Sequence, residues 1–470
     1  MTEFTVSVGV FAIIALIVWR YKTVFCLPFF WAALFACIYL GLLQIRAQSG
    51  GSSYLYAAEG FGMFFLGLLM ADFLFSLRSI AGRLTNRGRH VRRGPPAAHP
   101  KPSQEPEPTR IKLLFPPLPL SVGLFVSLSA ATFVTIIFFA DQGFPILSSN
   151  PALAWVQSTS GLVNRLMSVF GPGCYAVLGL MAWAVHRETG SRAAKGMMYL
   201  GLGLSIVADG LLATKSAAIM VFVWFNLLLF YMNKKRELWK TLLPLIVVVV
   251  PVSAAIVAVR MISTQGYWQA EGIYATYYER LTTIAAEPLD FTFKYMDRFG
   301  APMHGQAMRF ELRRIREQLT GAQKTPVITE YVYDLMEGMP PGSVDLSVTL
   351  TPQGTGYIEW GMAGLLLYSF LQGLGFGLVH RYLYRQETLN LVSLVLWGGI
   401  VSYCIQLSST GILLVGLEGI VLAVVPPLAL LLPFCAFFLL PVARRYRTAG
   451  GRRIAGFPQA RAETGRGVKQ

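Results

Sequence analysis

The sequence predicts an all-α, polytopic integral membrane protein of about eleven transmembrane helices, with one large outer loop that is partly helical. Three observations predict it. Of 470 residues, 54% are hydrophobic. Only 14% are charged, where a soluble chain carries about 25%. Apolar runs of roughly 17–25 residues, the length that crosses a bilayer, recur along most of the chain. An ordinary soluble enzyme and a disordered polymer are both excluded on these grounds.

The expected spans follow in order. Phe4–Trp19, Val24–Leu43 and Tyr56–Leu77 form an N-terminal group within residues 1–77. Residues 78–115 are basic and Pro-rich, a composition that cannot bury a core, and read as a disordered cytoplasmic linker. Residues 116–259 hold Pro116–Ala140, Met167–Val185, Gly196–Ala213, Ser216–Met232 and Thr241–Val259. Residues 260–355, about 96 residues, are too long for a passive connection and read as the large loop on the outer face. Residues 356–442 carry Gly356–Val379, Leu389–Leu407 and Ile412–Val442, the last kinked at Pro426-Pro427. Residues 443–470 form a basic tail.

The net charge of +16 suggests a nucleic-acid partner only until its distribution is read. Of the 40 Lys and Arg, 28 fall in short connections and tails that one topology puts on one side. That is the positive-inside pattern. It predicts an N-terminus on the outer side and a cytoplasmic C-terminus, and no nucleic-acid partner. All five cysteines lie in apolar runs, so no disulfide framework is expected. The chain starts MTEFTV, without the basic region of a cleavable signal.

Within the large loop, Met308, Leu312, Ile315 and Leu319 recur at helical spacing, and Arg309, Arg313 and Arg316 follow one residue behind. The stretch 304–321 therefore reads as an amphipathic helix. Two readings stay open. One is a helix on the outer leaflet with arginines toward lipid phosphates. The other is a solvated helix whose arginines pair with Glu311 and Glu317. Tyr267, Trp268, Tyr274, Tyr277 and Tyr278 cluster just outside the eighth expected span. Such rings stack on sugars, and they also populate membrane interfaces.

Glu59, Asp72, Asp209, Lys215, Glu359 and Glu418 fall within or beside spans, where charge is costly and commonly functional. No P-loop, HExxH, G-x-S-x-G or Cys/His metal spacing occurs in the sequence. The chemistry is expected on the outer face, without nucleotide, cofactor or metal.

Three strings then resemble one family. Gly143-Phe-Pro-Ile-Leu-Ser-Ser-Asn150 is similar to a "GGIPLLS" opening of a periplasmic loop. Leu212-Ala-Thr-Lys-Ser-Ala217 is similar to a "GSRG" turn, with lysine in the place of arginine. Thr351-Pro-Gln-Gly-Thr-Gly-Tyr-Ile-Glu-Trp-Gly361 is similar to a Gly-rich "lGxxYxxfGxxG" start of a late span. In architecture and in these strings the chain resembles the Wzy-type O-antigen and exopolysaccharide polymerases. The R-x10-G pattern of some members is missing from the large loop.

The resemblance implies a metal- and nucleotide-independent glycosyltransferase. It would join undecaprenyl-pyrophosphate-linked oligosaccharide repeat units at the periplasmic face. Its partners would be that lipid-linked oligosaccharide, membrane lipid, and a chain-length regulator and flippase of the same pathway. Such a reaction needs cations at the leaving pyrophosphate and a base at the attacking hydroxyl. Arg165, Lys215, Arg260 and Arg298 are the candidate cations, extended by Arg309 and Arg313. Tyr274 and Tyr278 are candidate sugar contacts, and Glu359 or His304 the candidate base. The rival readings are an O-antigen-type ligase and a lipid-linked oligosaccharide transporter.

Overall fold

A computed structural model describes residues 2–21, 26–90, 108–113, 116–147, 170–212, 217–234, 286–296, 302–320, 326–340 and 348–411, with a few isolated positions between them. The described chain is a helical bundle. Its elements are α1 (Thr2–Tyr21), α2 (Leu27–Ser49), α3 (Ser53–His90), β1 (Arg110–Lys112), α4 (Pro117–Gln142), α5 (Pro172–Thr189), α6 (Arg192–Leu211) and α7 (Ala217–Asn233). They continue with α8 (Gln306–Thr320), α9 (Ile328–Met336), α10 (Thr351–Arg385), β2 (Thr388–Asn390) and α11 (Leu391–Thr410). Among the described residues, six helices are long and apolar enough to cross a membrane: Glu3–Tyr21, Leu27–Ser49, Ser53–Leu77, Pro117–Leu147, Thr351–Arg385 and Leu391–Ser408. The protein is therefore a polytopic helical membrane protein.

Three further expected spans correspond to α5, α6 and α7. α5 and α6 form a hairpin, closed by left-handed Gly190 and by Ser191, whose hydroxyl accepts from Ala194 N. A Cβ on Gly201 would stand 3.0 Å from the Gly179 Cα, so these two helices cross at backbone distance. The expected spans 241–259 and 412–442 lie essentially outside the described residues.

The linker expected over 78–115 is corrected at both ends. Helix α3 runs on to His90, and Arg110–Lys112 is a strand paired in parallel with Thr388–Asn390. The physical reason is local. A helix already nucleated in the bundle extends without a new nucleation cost. At the other end, Arg110 N donates to the Glu387 carbonyl, Thr109 N to Met232 O, and Ile111 N to the Glu188 carboxylate. The strand's backbone groups thus find partners that the composition does not reveal.

Between lipid-facing helices the hydrophobic effect adds little, and small residues that let backbones approach do most of the packing. α3 and α10 pack this way. A Cβ on Gly67 would collide with the Phe370 carbonyl, one on Gly373 with the Phe64 carbonyl, and one on Gly377 with the Ala71 methyl. The small-xxx-small pair Gly373/Gly377 is thus used within the chain. An aromatic column fills the space beside it: Phe35 stacks on Phe61 at 4.2 Å, Phe61 on Phe64 at 5.9 Å, and Phe376 meets Phe64 edge-on. Phe125, Phe133 and Ile136 on α4 point outward, as a lipid-facing stripe should. Trp224 Nε1 donates to the Gly398 carbonyl at 2.8 Å and joins α7 to α11.

The bundle has two chemically distinct ends. At one, Asp72 accepts from Arg20 on one oxygen and from Arg381 on the other, tying α1, α3 and α10. The β1–β2 pair, with Arg110 and Lys112, sits at this same end. At the other end, Glu3 pairs with Arg46, whose guanidinium lies over the Tyr54 ring. There Lys294 reaches Asp290, the Ser49 hydroxyl and the Gly50 carbonyl.

Candidate functional site

The site forms at the Glu3 end, where the Gly-rich string 351–361 meets α8. The string does not simply begin a straight helix. Trp360 (φ −141°, ψ 24°) and Gly361 (φ 61°, ψ −144°) break α10 in two. Gly361 holds a left-handed conformation that a Cβ would strain. A Cβ on Gly356 would collide with the Gly364 carbonyl, and one on Gly364 with the Gly356 carbonyl. In an unbroken helix those residues would be about 12 Å apart. The chain therefore makes a tight helical hairpin.

Neighbours along α3 fix its direction. Tyr357 stacks on Tyr56 near the mouth of the bundle. Gln353 and Ser369 both border Gly60, about one turn further in. Residues 362–385 then descend in parallel with α3, past Phe64 and Ala71 to Asp72. So 351–359 is a re-entrant half-helix. It starts inside the bundle and rises to its mouth, and the span proper is 362–385.

Glu359, one of the two expected bases, closes the top of the half-helix. Its side chain is fully buried. Its carboxylate accepts from Gly305 N and, at 3.1 Å, from Met308 N. Its backbone carbonyl accepts from His304 N at 2.8 Å, and the Ile358 carbonyl from Met303 N. Glu359 thus caps the start of α8, where orphan N–H groups and the helix dipole favour an anion. His304, the other expected base, adjoins it with an exposed side chain and φ 48°.

α8 is seated by the face next to the expected stripe, about a quarter-turn round the helix, with Ile315 of the stripe half-buried. Ala307, Glu311 and Arg314 are buried. Arg314 donates to Glu330 at 3.3 Å, and Glu330 also accepts from Val327 N at the start of α9. Phe310 packs on Tyr331, whose phenol burial pushes above its ordinary pKa. Met308 (39% exposed) and Leu312 (55%) are left uncovered, with Arg309, Arg313 and Arg316 exposed beside them. Of the two carboxylates in the solvated-helix reading, Glu311 faces inward, away from Arg309 and Arg313.

The structure joins Glu359 to His304 at the start of α8, and Arg309 and Arg313 are exposed further along the same helix. Arg165, Lys215, Arg260, Arg298, Tyr274 and Tyr278 lie outside the described residues. Among the described residues, no cluster of three or more His, Cys, Asp or Glu side chains could hold a metal ion. Sequence reading missed the Arg314–Glu330 pair and the polar interior below the half-helix. The latter consists of Thr351, Gln353 and Gln372, uncharged residues that no motif flags.

If Glu359 seats α8, Glu359→Ala removes two hydrogen bonds to a charged acceptor, each worth about 1.5–3 kcal/mol. The expected result is a stability loss of roughly 3 kcal/mol and faster tryptic cleavage at Arg309, Arg313 and Arg316. Cleavage and melting unchanged from wild type would show that α8 is held by something else.

A scan of protein-family models, a search of curated proteins and a search of solved structures each return no match to this chain.

Proposed function

We propose that the protein polymerises undecaprenyl-pyrophosphate-linked oligosaccharide repeat units into a surface or secreted polysaccharide, at the periplasmic face of a bacterial inner membrane. The observation that carries this reading is α8. An uncovered apolar stripe runs beside exposed arginines, on a helix seated by Glu359 at one mouth of the bundle. A helix of this kind lies in the headgroup layer with its apolar face in the acyl region. Its guanidiniums then stand where a lipid pyrophosphate sits, and arginine grips such a group bidentately. The basic residues gathered at the Asp72 end fit a cytoplasmic assignment for that end.

In this reading the acceptor hydroxyl attacks the anomeric carbon of the lipid-linked glycan. A new C–O bond forms as the bond to undecaprenyl pyrophosphate breaks. Arg309 and Arg313 neutralise charge on the leaving group. His304, exposed at the start of the same helix, takes the hydroxyl proton. Glu359 is a positioning residue, because its carboxylate is occupied by α8 backbone N–H groups. A second reading, transport of the lipid-linked glycan, is favoured by one specific feature: re-entrant half-helices line substrate sites in transporters.

The glycan ladder of a deletion strain tests the choice, with envelope and secreted polysaccharide run on one gel. Polymerisation predicts collapse to single-repeat species, restored by the intact gene and not by an Arg309→Ala/Arg313→Ala double variant expressed at wild-type level. Long chains that lose only their anchor would replace this reading with a ligase. Normal chain lengths, with lipid-linked units accumulating inside, would replace it with transport.

A further inference from the structure

The break at Trp360 and Gly361 also divides α10 between two cores. Leu350 and Ile358, before it, pack in one cluster with Met296, Met303, Ala307 and Val332. Leu365, Phe376 and Leu383, after it, belong to the core of the bundle. Helices α1–α7 and α11 put no described residue into the outer cluster. Polar ties follow the same division. Glu359 accepts from Gly305 N and Met308 N, the Ile358 carbonyl accepts from Met303 N, and Arg314 pairs with Glu330. Val348 N donates to the Thr329 carbonyl at 3.4 Å. So α8, α9 and residues 348–359 form one unit with a small core of its own. Such a unit opens at a lower free energy than the bundle unfolds.

The junction between that unit and the bundle is poorly satisfied. Thr351, Gln353 and Gln372 are 1%, 1% and 5% exposed. The Thr351 hydroxyl and both amide heteroatoms of each glutamine are five of the twelve buried side-chain polar atoms with no hydrogen-bond partner among the described residues. Native interiors satisfy such groups. A glutamine amide needs donors and acceptors together, and water supplies both. Thr351 also takes φ 57°, a conformation β-branched residues avoid. Tyr357 rests on Tyr56 at 6.1 Å, and two further approaches are backbone on backbone, Gly356 with Gly364 and Gly411 with the Thr351 carbonyl. Backbone surfaces of this kind part without disentangling side chains. A Cβ on Gly361 would meet nothing within 4 Å, so the main chain at the break has room to rotate.

We propose that α8, α9 and residues 348–359 form a hinged lid on the bundle, which turns about Trp360–Gly361 between this closed state and an open one in which water reaches Gln353 and Gln372. A hinge is a few residues that absorb a change in φ and ψ, and Trp360 and Gly361 are the two that leave helical geometry within α10. Closed, the lid keeps the Tyr56–Tyr357 stack and leaves the two amides dry. Open, it gives up the stack, hydrates the amides and lets Thr351 relax. These terms are individually small and opposed, which keeps both states within reach. The lid carries His304, Arg309 and Arg313 with it, because Glu359 fixes the start of α8 to the half-helix. The hinge depends on neither the polymerase nor the transport reading and survives the loss of either.

The test uses the full-length purified protein in detergent micelles, carrying Gln353→Cys at a position buried in the closed state. Labelling by N-ethylmaleimide is followed site by site by mass spectrometry. The native Cys174 and Cys404, buried in the bundle core, are the internal references. Position 353 is expected to label about tenfold faster than either reference. Adding Gln372→Met, which replaces an unsatisfied amide by an apolar group in the closed state, should slow that labelling roughly fivefold. Adding Gly361→Ala, which puts a Cβ at a left-handed position, should speed it roughly fivefold and leave the references unchanged. Hydrogen exchange of the wild-type protein needs no variant. There α8, α9 and residues 351–359 should open together, at a lower free energy than residues 362–385. Labelling at position 353 no faster than at Cys174 and Cys404 overturns the lid. So does exchange of 351–359 in step with 362–385 rather than with α8, and so does equal acceleration of all three sites by Gly361→Ala.

Discussion

Gly373→Leu is expected to abolish the packed bundle. Gly373 faces α3, and any Cβ there runs into the Phe64 carbonyl, with the Phe64 carbonyl carbon 2.8 Å away. Both obstacles are backbone, so no rotamer change relieves them. Overpacking costs about 1–3 kcal/mol where side chains can yield, and more where they cannot. The neighbouring approaches at Gly67 and Gly377 would be lost with it, because one displaced helix opens all three. The measurement is monodisperse yield and melting temperature of the detergent-solubilised protein. Gly375→Leu is the control, because a Cβ on Gly375 meets nothing within 4 Å. If the two variants behaved alike, the α3–α10 interface would not be what holds this bundle together.

Asp72→Ala is the second large effect. One buried carboxylate holds two guanidiniums, and removing it leaves both without their counter-charge. Breaking a buried pair from one side costs about 3–5 kcal/mol. Arg20 and Arg381 are 37% and 32% exposed, so water recovers part of this and the lower end, about 3 kcal/mol, is expected. The destabilisation should be visible as a lower melting temperature. A triple variant, Arg20→Leu/Asp72→Ala/Arg381→Leu, discriminates the cause. If stranded charge is the penalty, the triple variant is more stable than Asp72→Ala alone. Strict additivity of the three losses would instead mean that each residue acts through its own packing.

Around Asp72 the interior is polar as well as charged. Tyr231 Oη and His380 Nδ1 lie 3.0 Å apart, and Leu27 N donates to the same hydroxyl. α2, α7 and α10 are therefore tied one turn from the Asp72 clamp. Of these residues, Asp72 stood out in the sequence as an ionisable group in an apolar run. Its partners did not, because Arg20 and Arg381 lie 52 and 309 residues away and read as ordinary flanks of their own spans.

The same contrast runs through the candidate site. The amphipathic repeat of 304–321 was legible, since apolar and cationic spacing are both local properties. Which face would be buried was not. The wider apolar stripe, Met308 and Leu312, is the one left uncovered, and the seat is made by Ala307, Glu311 and Arg314 against α9. Glu359 was legible as a carboxylate out of place near a membrane. Its use was not, because a cap depends on a helix start 54 residues earlier in the chain.

That this protein lies in a membrane, that its elements are helices, and roughly where most of them run are all legible along the chain itself. Those properties follow from hydropathy and charge summed over a window of about twenty residues, and a bilayer reads them the same way. The tertiary structure alone decided that the Gly-rich string 351–361 folds back on itself, leaving a half-helix whose first turn is inside the bundle. No window sum contains that information. The hairpin exists because Gly356 and Gly364 let two backbones touch, Gly60 leaves room for the Gln353 and Ser369 side chains, and Gly361 can turn where a side chain could not.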